Sequence, residues 1–98
     1  MARFDVYPGA RGKGYLLDCQ ADVLDHLETR VVVPLMPAAG LPAATRLNPV
    51  FDVQGNRVVM STQLVFAIPV QHLQSSVASL AADHIGITNA LDMLLTGY

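Results

Sequence analysis

The sequence predicts a mainly β domain: an antiparallel sheet of five to seven short strands closed by one C-terminal α-helix. Three observations predict this class. In the first 70 residues, runs of β-branched and aromatic residues alternate with turns that contain glycine or proline. Near the middle, two such runs flank a short loop typical of a β-hairpin. After residue 70, Ala, Leu and Ser dominate, and apolar side chains recur at helical spacing. A chain of 98 residues predicts a single domain, residues 1–98.

The first half of the chain predicts three strands. Phe4–Tyr7 alternates and stops at a Pro-Gly turn, residues 8–14 form a glycine-rich mobile loop, and Tyr15–Cys19 is the returning strand. Arg30–Met36 is β-branched and apolar, which predicts a buried strand. Within it, Pro34 indicates an edge position or a bulge, because proline lacks the N–H that a strand needs.

The second half predicts a hairpin and a further strand. Val50–Val53 and Arg57–Met60 flank a loop in which Gly55-Asn56 tolerates positive φ angles. A further extended run follows at Leu64–Val70.

The last part of the chain predicts an amphipathic helix. Its start falls anywhere from Gln71 to Ala82, and Asp83 suits the helix dipole in the first turn. The position of His84 on the apolar stripe indicates a core or interface histidine. The stripe consists of Leu80, His84, Ile87, Leu91 and Leu94.

The composition favours a partner chain and argues against nucleic acid. Hydrophobic residues make up 52% of the chain and charged residues 14%, against about 25% charged in a typical domain. Some of this apolar surface needs a cover, so we expect a homodimer. The net charge of −2 and the lack of a basic stripe disfavour direct binding to nucleic acid.

Cysteine usage and hydropathy indicate a cytoplasmic protein that does not enter membranes. The only cysteine, Cys19, excludes an internal disulfide framework and fits a reducing compartment. We expect it to be a buried small hydrophobe without a reactive role. No apolar run approaches the 18 or so residues of a membrane span, and the start of the chain lacks a signal region.

The densest polar segment offers no recognised catalytic or metal motif. Its side chains are of types that bind metal ions, but their spacing matches no known metal site. We therefore expect these carboxylates to be solvated residues of a turn. The three histidines are scattered, and there is no phosphate loop, zinc-protease motif or serine elbow. We therefore predict no enzymatic activity, no metal and no cofactor. The segment contains Asp18, Cys19, Asp22, Asp25 and His26.

Two apolar pieces stand out. Val23-Leu24 lies between carboxylates, and the predicted helix ends in Met93-Leu94-Leu95-Thr96-Gly97-Tyr98. Either both pack into the core of their own domain, or they form a protein-binding surface.

Several stretches match one protein family in order and spacing: Phe4–Tyr7, Tyr15–Asp25, Thr29–Leu35, Leu47–Phe51, Val58–Thr62, Ile68–Val70 and Asn89–Tyr98. In these stretches, which cover nearly the whole chain, the sequence resembles the CcdB family, the toxin half of plasmid or chromosomal toxin–antitoxin pairs.

The resemblance implies a homodimer of SH3-like antiparallel β-barrels, each with a C-terminal helix. Such toxins bind the A subunit of DNA gyrase and trap it with its DNA cleaved, and a CcdA-like antitoxin with a disordered segment removes them. By position, the resemblance implies gyrase contacts at Val23, Leu24, Asp92, Leu95, Thr96, Gly97 and Tyr98. It also implies antitoxin contacts in the loop that contains Arg11 and Lys13.

Three functions stay open at this point. The well-known family toxin ends in Phe-Trp-Gly-Ile and has Asn where this chain has Asp92, and Thr96 takes the place of its large aromatic residue. The first function is a gyrase-directed toxin. The second is a homologue that dimerises and binds antitoxin but poisons gyrase weakly or not at all. The third is an endoribonuclease toxin on the same barrel, against which the net charge of −2 argues.

Overall fold

The structure, a computed structural model, describes residues 1–40 and 43–97. The described residues form seven antiparallel strands in a nearly closed barrel and one C-terminal α-helix, which confirms the predicted fold class. The elements are β1 (Asp5–Pro8), β2 (Tyr15–Asp18), β3 (Thr29–Pro37), β4 (Val50–Val53), β5 (Asn56–Met60), β6 (Phe66–Pro69), β7 (Ala78–Ser79) and α1 (His84–Thr96).

The sheet is built around β3, its longest strand. The strand order is β4-β5-β3-β2-β1-β7, and β6 also pairs with β3. Along one edge, β3 pairs with β2; along the other, it pairs first with β6 over Thr29–Val32 and then with β5 over Leu35–Pro37. One strand therefore joins two partners on the same side, which is what bends the sheet toward closure.

Pro34 lies at the change of partner on β3, so of the two predicted alternatives, an edge position or a bulge, the edge position is wrong. Its carbonyl accepts the N–H of Ser61 on the side that faces β5 and β6. In an antiparallel strand, the N–H and C=O of one residue point the same way. The missing N–H of Pro34 therefore faces the gap between β6 and β5, where no ladder bond is lost.

The hairpin is confirmed, although its loop is shorter than predicted. Asn56 already belongs to β5, and the positive φ angles lie at Gln54 (52°) and Gly55 (80°). Two successive residues with positive φ form the tight turn that matches the right-handed twist of paired strands.

The helix begins at His84, two residues beyond the predicted range. The N–H groups of Val77 and Leu80 donate to the carbonyls of Val6 and Phe4, so this stretch extends the sheet as β7 and cannot be helical. His84 is exposed, and its ring nitrogen lies 3.0 Å from the Ala81 carbonyl, so it is not a core histidine, and the alternative of an interface histidine stays a prediction.

The core lies between the sheet and α1. Ile87 and Ala90 of the helix are fully buried against the strands, and Leu91 packs beside them. Cys19 is 7% exposed, and burial raises the pKa of its thiol to about 12, which agrees with the predicted inert hydrophobe. The buried strand residues of this cluster are Val6, Leu17, Val33, Leu35, Val53, Val58 and Met60.

A buried ion pair joins β2 to β3. The Arg30 Nη2 atom lies 2.7 Å from Asp18 Oδ2, its Nε donates to the same oxygen at 2.8 Å, and both side chains are 0% exposed. Burial raises the pKa of the Asp18 carboxyl, and the Gln20 N–H and Arg30 offset part of that rise. Arg30 Nη1 and the Tyr7 hydroxyl are buried without a hydrogen-bond partner among the described residues.

We expect Ile87→Ala to lower the free energy of unfolding by about 2–5 kcal/mol, because it removes buried methyl groups and leaves a cavity. Ile85→Ala is the matched control: Ile85 is 66% exposed on the same helix, so its change is expected to stay within about 0.5 kcal/mol. Denaturant titration measures both. Equal losses in the two variants would contradict the assignment of the core.

We expect Asp18→Asn to lower the free energy of unfolding by about 3–5 kcal/mol, because it leaves the Arg30 charge buried and unpaired. Asp52→Asn is the control, since Asp52 is 73% exposed and lies 4.0 Å from Arg57, and we expect a loss below about 1 kcal/mol. Thermal or urea denaturation measures the free energy of unfolding of both variants. A similarly small loss of this free energy in both would disprove the structural role of the pair.

Candidate functional site

The first apolar piece is a 3₁₀ turn, Asp22–Leu24, between β2 and β3, here named the apolar turn. Its backbone is closed by the Leu24 N–H to the Ala21 carbonyl at 2.9 Å and by the Asp25 N–H to the Asp22 carbonyl at 3.1 Å. Val23 is 80% exposed and Leu24 42%, so neither packs into the core as one alternative expected. The turn presents two apolar side chains to solvent.

The N-terminal segment lies against this turn. The Arg3 N–H donates to Asp22 Oδ1 at 2.8 Å, and its guanidinium lies 4.7 Å from the centroid of the Phe4 ring. Phe4 has a φ of 73°, a strained conformation for a bulky residue, and its ring lies 6.5 Å from that of His84. The Phe4 ring therefore lies between the Arg3 guanidinium and the His84 ring at the start of α1. Sequence reasoning missed this contact, because no local pattern signals a phenylalanine with positive φ.

The second apolar piece is the end of α1, residues 92–97, here named the helix end. Leu95 is 76% exposed and Met93 39%. Thr96 donates its hydroxyl to the Asp92 carbonyl at 2.6 Å, which satisfies the hydroxyl within the helix. Gly97 ends the helix in the left-handed region (φ 81°), and its N–H donates to the Met93 carbonyl. Tyr98 lies outside the described residues.

The two pieces are separate structural units. No hydrogen bond or ion pair joins the apolar turn to the helix end within residues 1–40 and 43–97. The helix packs instead against the 3₁₀ turn Thr62–Leu64. Leu64 there is 57% exposed, an apolar residue that the sequence did not single out.

The loop between β1 and β2 borders a groove. Lys13 is exposed, and the Arg11 side chain lies outside the described residues. A Cβ on Gly14 (φ 60°) would lie 2.5 Å from the Leu35 carbonyl oxygen, so only glycine lets the loop approach β3. The groove, about 820 Å³, is here named the alanine groove and is lined by Gly12, Gly14, Tyr15, Pro37, Ala38, Ala39, Ala43, Ala44, Val50, Asn56, Arg57 and Val58.

The polar segment that begins at Asp18 makes its contacts within the chain. Asp18 is fully buried and pairs with Arg30, so the prediction of a solvated carboxylate is wrong for this residue, because the guanidinium compensates its charge inside the barrel. Asp22 and Asp25 are exposed as predicted, and Asp22 accepts the Arg3 N–H. Among the described residues, no group of three or more His, Cys, Asp or Glu side chains is arranged to hold a metal ion. The described part of the chain also contains no helix with the length and hydropathy to cross a membrane.

These features define a class of protein: a small barrel with one C-terminal helix that exposes apolar side chains on a turn and a helix end, an arrangement suited to contact with another protein. Within this class the chain belongs to the CcdB protein family, whose model matches residues 3–97. Membership in this family suggests the toxin of a toxin–antitoxin pair. No curated protein sequence matches the chain.

Proposed function

We propose that the protein is the toxin of a type II toxin–antitoxin system, which binds the A subunit of DNA gyrase in the cytoplasm and traps the enzyme with its DNA cleaved. The observation that carries the proposal is the CcdB family match over residues 3–97. The exposure of Val23 and Leu95, two positions at which the resemblance implies gyrase contacts, supports it.

The proposed mechanism is binding without turnover of a substrate. Val23 and Leu95 are largely in water in the free protein, so a partner that covers them gains the free energy of apolar burial, about 25 cal/mol per Å². Leu24, Asp92, Thr96, Gly97 and Tyr98 complete the proposed contact. Because this mechanism needs shape and apolar surface only, it requires no metal, cofactor or nucleic-acid groove.

At the helix end, Thr96 stands where the well-known family toxin has an aromatic anchor. Loss of a buried tryptophan anchor typically costs 2 kcal/mol or more, which is about thirtyfold in affinity. Leu95 and Met93 are the exposed apolar side chains at this end of α1. We therefore expect gyrase binding that is weaker than that of a toxin with the tryptophan.

We propose that the protein acts as a homodimer. Besides the two candidate pieces and Ile85, several large apolar side chains are between 36% and 57% exposed, a large share for a barrel of this size. A second copy of the chain is the simplest way to cover such a surface. These side chains include Leu27, Val31, Met36, Leu64, Phe66 and Val77.

The proposed antitoxin contact lies at the alanine groove. Small apolar residues line the groove, and Arg57 and the neighbouring Lys13 supply positive charge. A disordered CcdA-like segment with acidic residues would complement this surface and fold on binding. Arg11 belongs to the same loop and to the same proposal.

A second candidate function is favoured by one residue. Thr96 is exposed and bonds its own helix, so it offers a partner no large apolar surface. A homologue that keeps dimerisation and antitoxin binding but poisons gyrase weakly or not at all is the corresponding proposal.

We expect induction of the protein to arrest a gyrase-sensitive bacterium and to produce gyrase-linked DNA breaks. Val23→Ser and Leu95→Ser are each expected to weaken binding to the gyrase A subunit at least tenfold, because each removes exposed apolar area from the proposed contact. Titration calorimetry measures the affinity, and a DNA cleavage assay measures the trapping.

Ile85→Ser is the matched control, since Ile85 is 66% exposed at the other end of α1 and lies outside the proposed gyrase contact. Growth arrest with cleaved RNA and intact DNA would refute the gyrase proposal. Confirmed expression without arrest, together with retained antitoxin binding, would favour the second candidate.

We expect Lys13→Glu to slow association with the acidic segment of the antitoxin encoded beside the toxin about tenfold at low salt. Rim charges act mainly on the association rate, and the effect should shrink near 0.15 M salt, where the Debye length is about 8 Å. Stopped-flow mixing measures the rate. Gln74→Glu, an exposed site that does not line the groove, should leave it unchanged, and equal slowing in both variants would contradict the proposed contact.

A further inference from the structure

Gln20 connects the sheet to the apolar turn through a buried side-chain amide. The residue is 5% exposed. Its Oε1 accepts the Val31 N–H of β3 at 3.0 Å, and its Nε2 donates to the Leu24 carbonyl of the apolar turn at 2.8 Å. The oxygen and the nitrogen of the amide are therefore both hydrogen-bonded, the oxygen to the barrel and the nitrogen to the apolar turn.

The amide oxygen of Gln20 occupies a position that a strand carbonyl would otherwise fill. The Cys19 N–H donates to the Val31 carbonyl at 2.9 Å, which begins a hydrogen-bonded pair of the β2–β3 ladder. In a regular ladder the Cys19 carbonyl would accept the Val31 N–H in return. It accepts Arg3 Nε instead, and Gln20 Oε1 takes the N–H of Val31. The chain thus leaves the sheet at Cys19 without leaving the Val31 N–H unpaired.

The other end of the amide holds the last residue of the turn. The Leu24 carbonyl accepts both Gln20 Nε2 and the Leu27 N–H, so it is fixed from two directions. Asp22, the first residue of the turn, is held by a separate hydrogen bond: its Oδ1 accepts the Arg3 N–H at 2.8 Å. The turn is therefore held at both ends, while Val23 between them stays exposed.

Gln20 is itself fixed by the buried ion pair. Its N–H donates to Asp18 Oδ1 at 3.0 Å, and Asp18 Oδ2 pairs with Arg30. A path of hydrogen bonds therefore runs from the barrel interior through Asp18 and Gln20 to Leu24.

We propose that Gln20 is the positioning residue of the partner surface: its buried amide holds the apolar turn in the conformation that presents Val23 and Leu24. The inference rests on the proposed function for the identity of the partner. A short turn whose apolar side chains face water has little burial of its own to hold it, so backbone entropy favours its opening. A turn ordered before binding spares the partner that entropy cost.

The first test is amide hydrogen exchange in the full-length protein with Gln20→Met, a side chain of similar length without hydrogen bonds. We expect the amides of Leu24, Asp25 and Leu27 to exchange at least tenfold faster than in the parent protein, while the amides of the β4–β5 hairpin change much less. Gln74→Met, at an exposed glutamine, is the control and should change none of them. Unchanged exchange at the turn would overturn the proposal.

A second variant separates positioning from space filling. Gln20→Glu keeps the length of the side chain, but its carboxylate has no donor for the Leu24 carbonyl. A protonated carboxyl has one, so protection of the turn amides should return at low pH, after correction for intrinsic exchange. Gln20→Met should show no such recovery. A pH response that is the same in both variants would refute the role of the donor.

Binding to the purified gyrase A subunit completes the test. We expect Gln20→Met to weaken binding about tenfold, as Val23→Ser does, and Gln74→Met to leave it unchanged. Faster exchange at the turn with unaltered affinity would overturn Gln20 as a positioning residue. A parent protein that does not bind gyrase at all would refute the proposed function instead. In that case, the amide exchange rates of the turn alone test whether Gln20 holds the turn.

Discussion

The buried pair of Asp18 and Arg30 is the contact on which the neighbouring structure depends. The three acceptor oxygens of Asp18 bind three different segments. Oδ2 pairs with Arg30 of β3, Oδ1 accepts the Gln20 N–H, and the backbone carbonyl accepts the Phe4 N–H at 2.6 Å. Desolvation makes such a pair costly, so its net contribution to stability is small compared with the cost of losing one partner. Its main effect is to specify where β2 ends, which sets the positions of the N-terminal segment and of the apolar turn.

The barrel and the candidate surface are stabilised by different means. The barrel rests on apolar packing, with Ile87 and Ala90 of α1 covering a sheet whose central strand changes partners at Pro34. The apolar turn buries little of its own and is held by directed hydrogen bonds from Gln20 and Arg3. A family of small proteins can therefore keep one scaffold and still present apolar groups to solvent in a defined conformation.

Much of the fold could be predicted from the sequence, because strands and hairpins leave local patterns. The hairpin and the strands around β3 lie within a few residues of the predicted positions. The partner change at Pro34 and the sheet bonds of Val77 and Leu80 depend on distant segments. For that reason, the edge position considered for Pro34 and the predicted helix start were wrong. For the site, apolar residues between carboxylates indicated Val23 as a candidate, whereas the bonds of Gln20 reach residues four and eleven positions away and leave no periodic signal.

The exposure of Val23 and Leu95 also bears on how such a protein can evolve. Both side chains lie outside the core, so exchanging them changes the stability of the barrel little. Selection removes many substitutions in the core of a small domain because they destabilise it, whereas substitutions at these two exposed positions are not removed for that reason. Affinity for a partner can therefore drift, be lost or be regained by single mutations within a lineage, while the barrel that carries the surface stays the same.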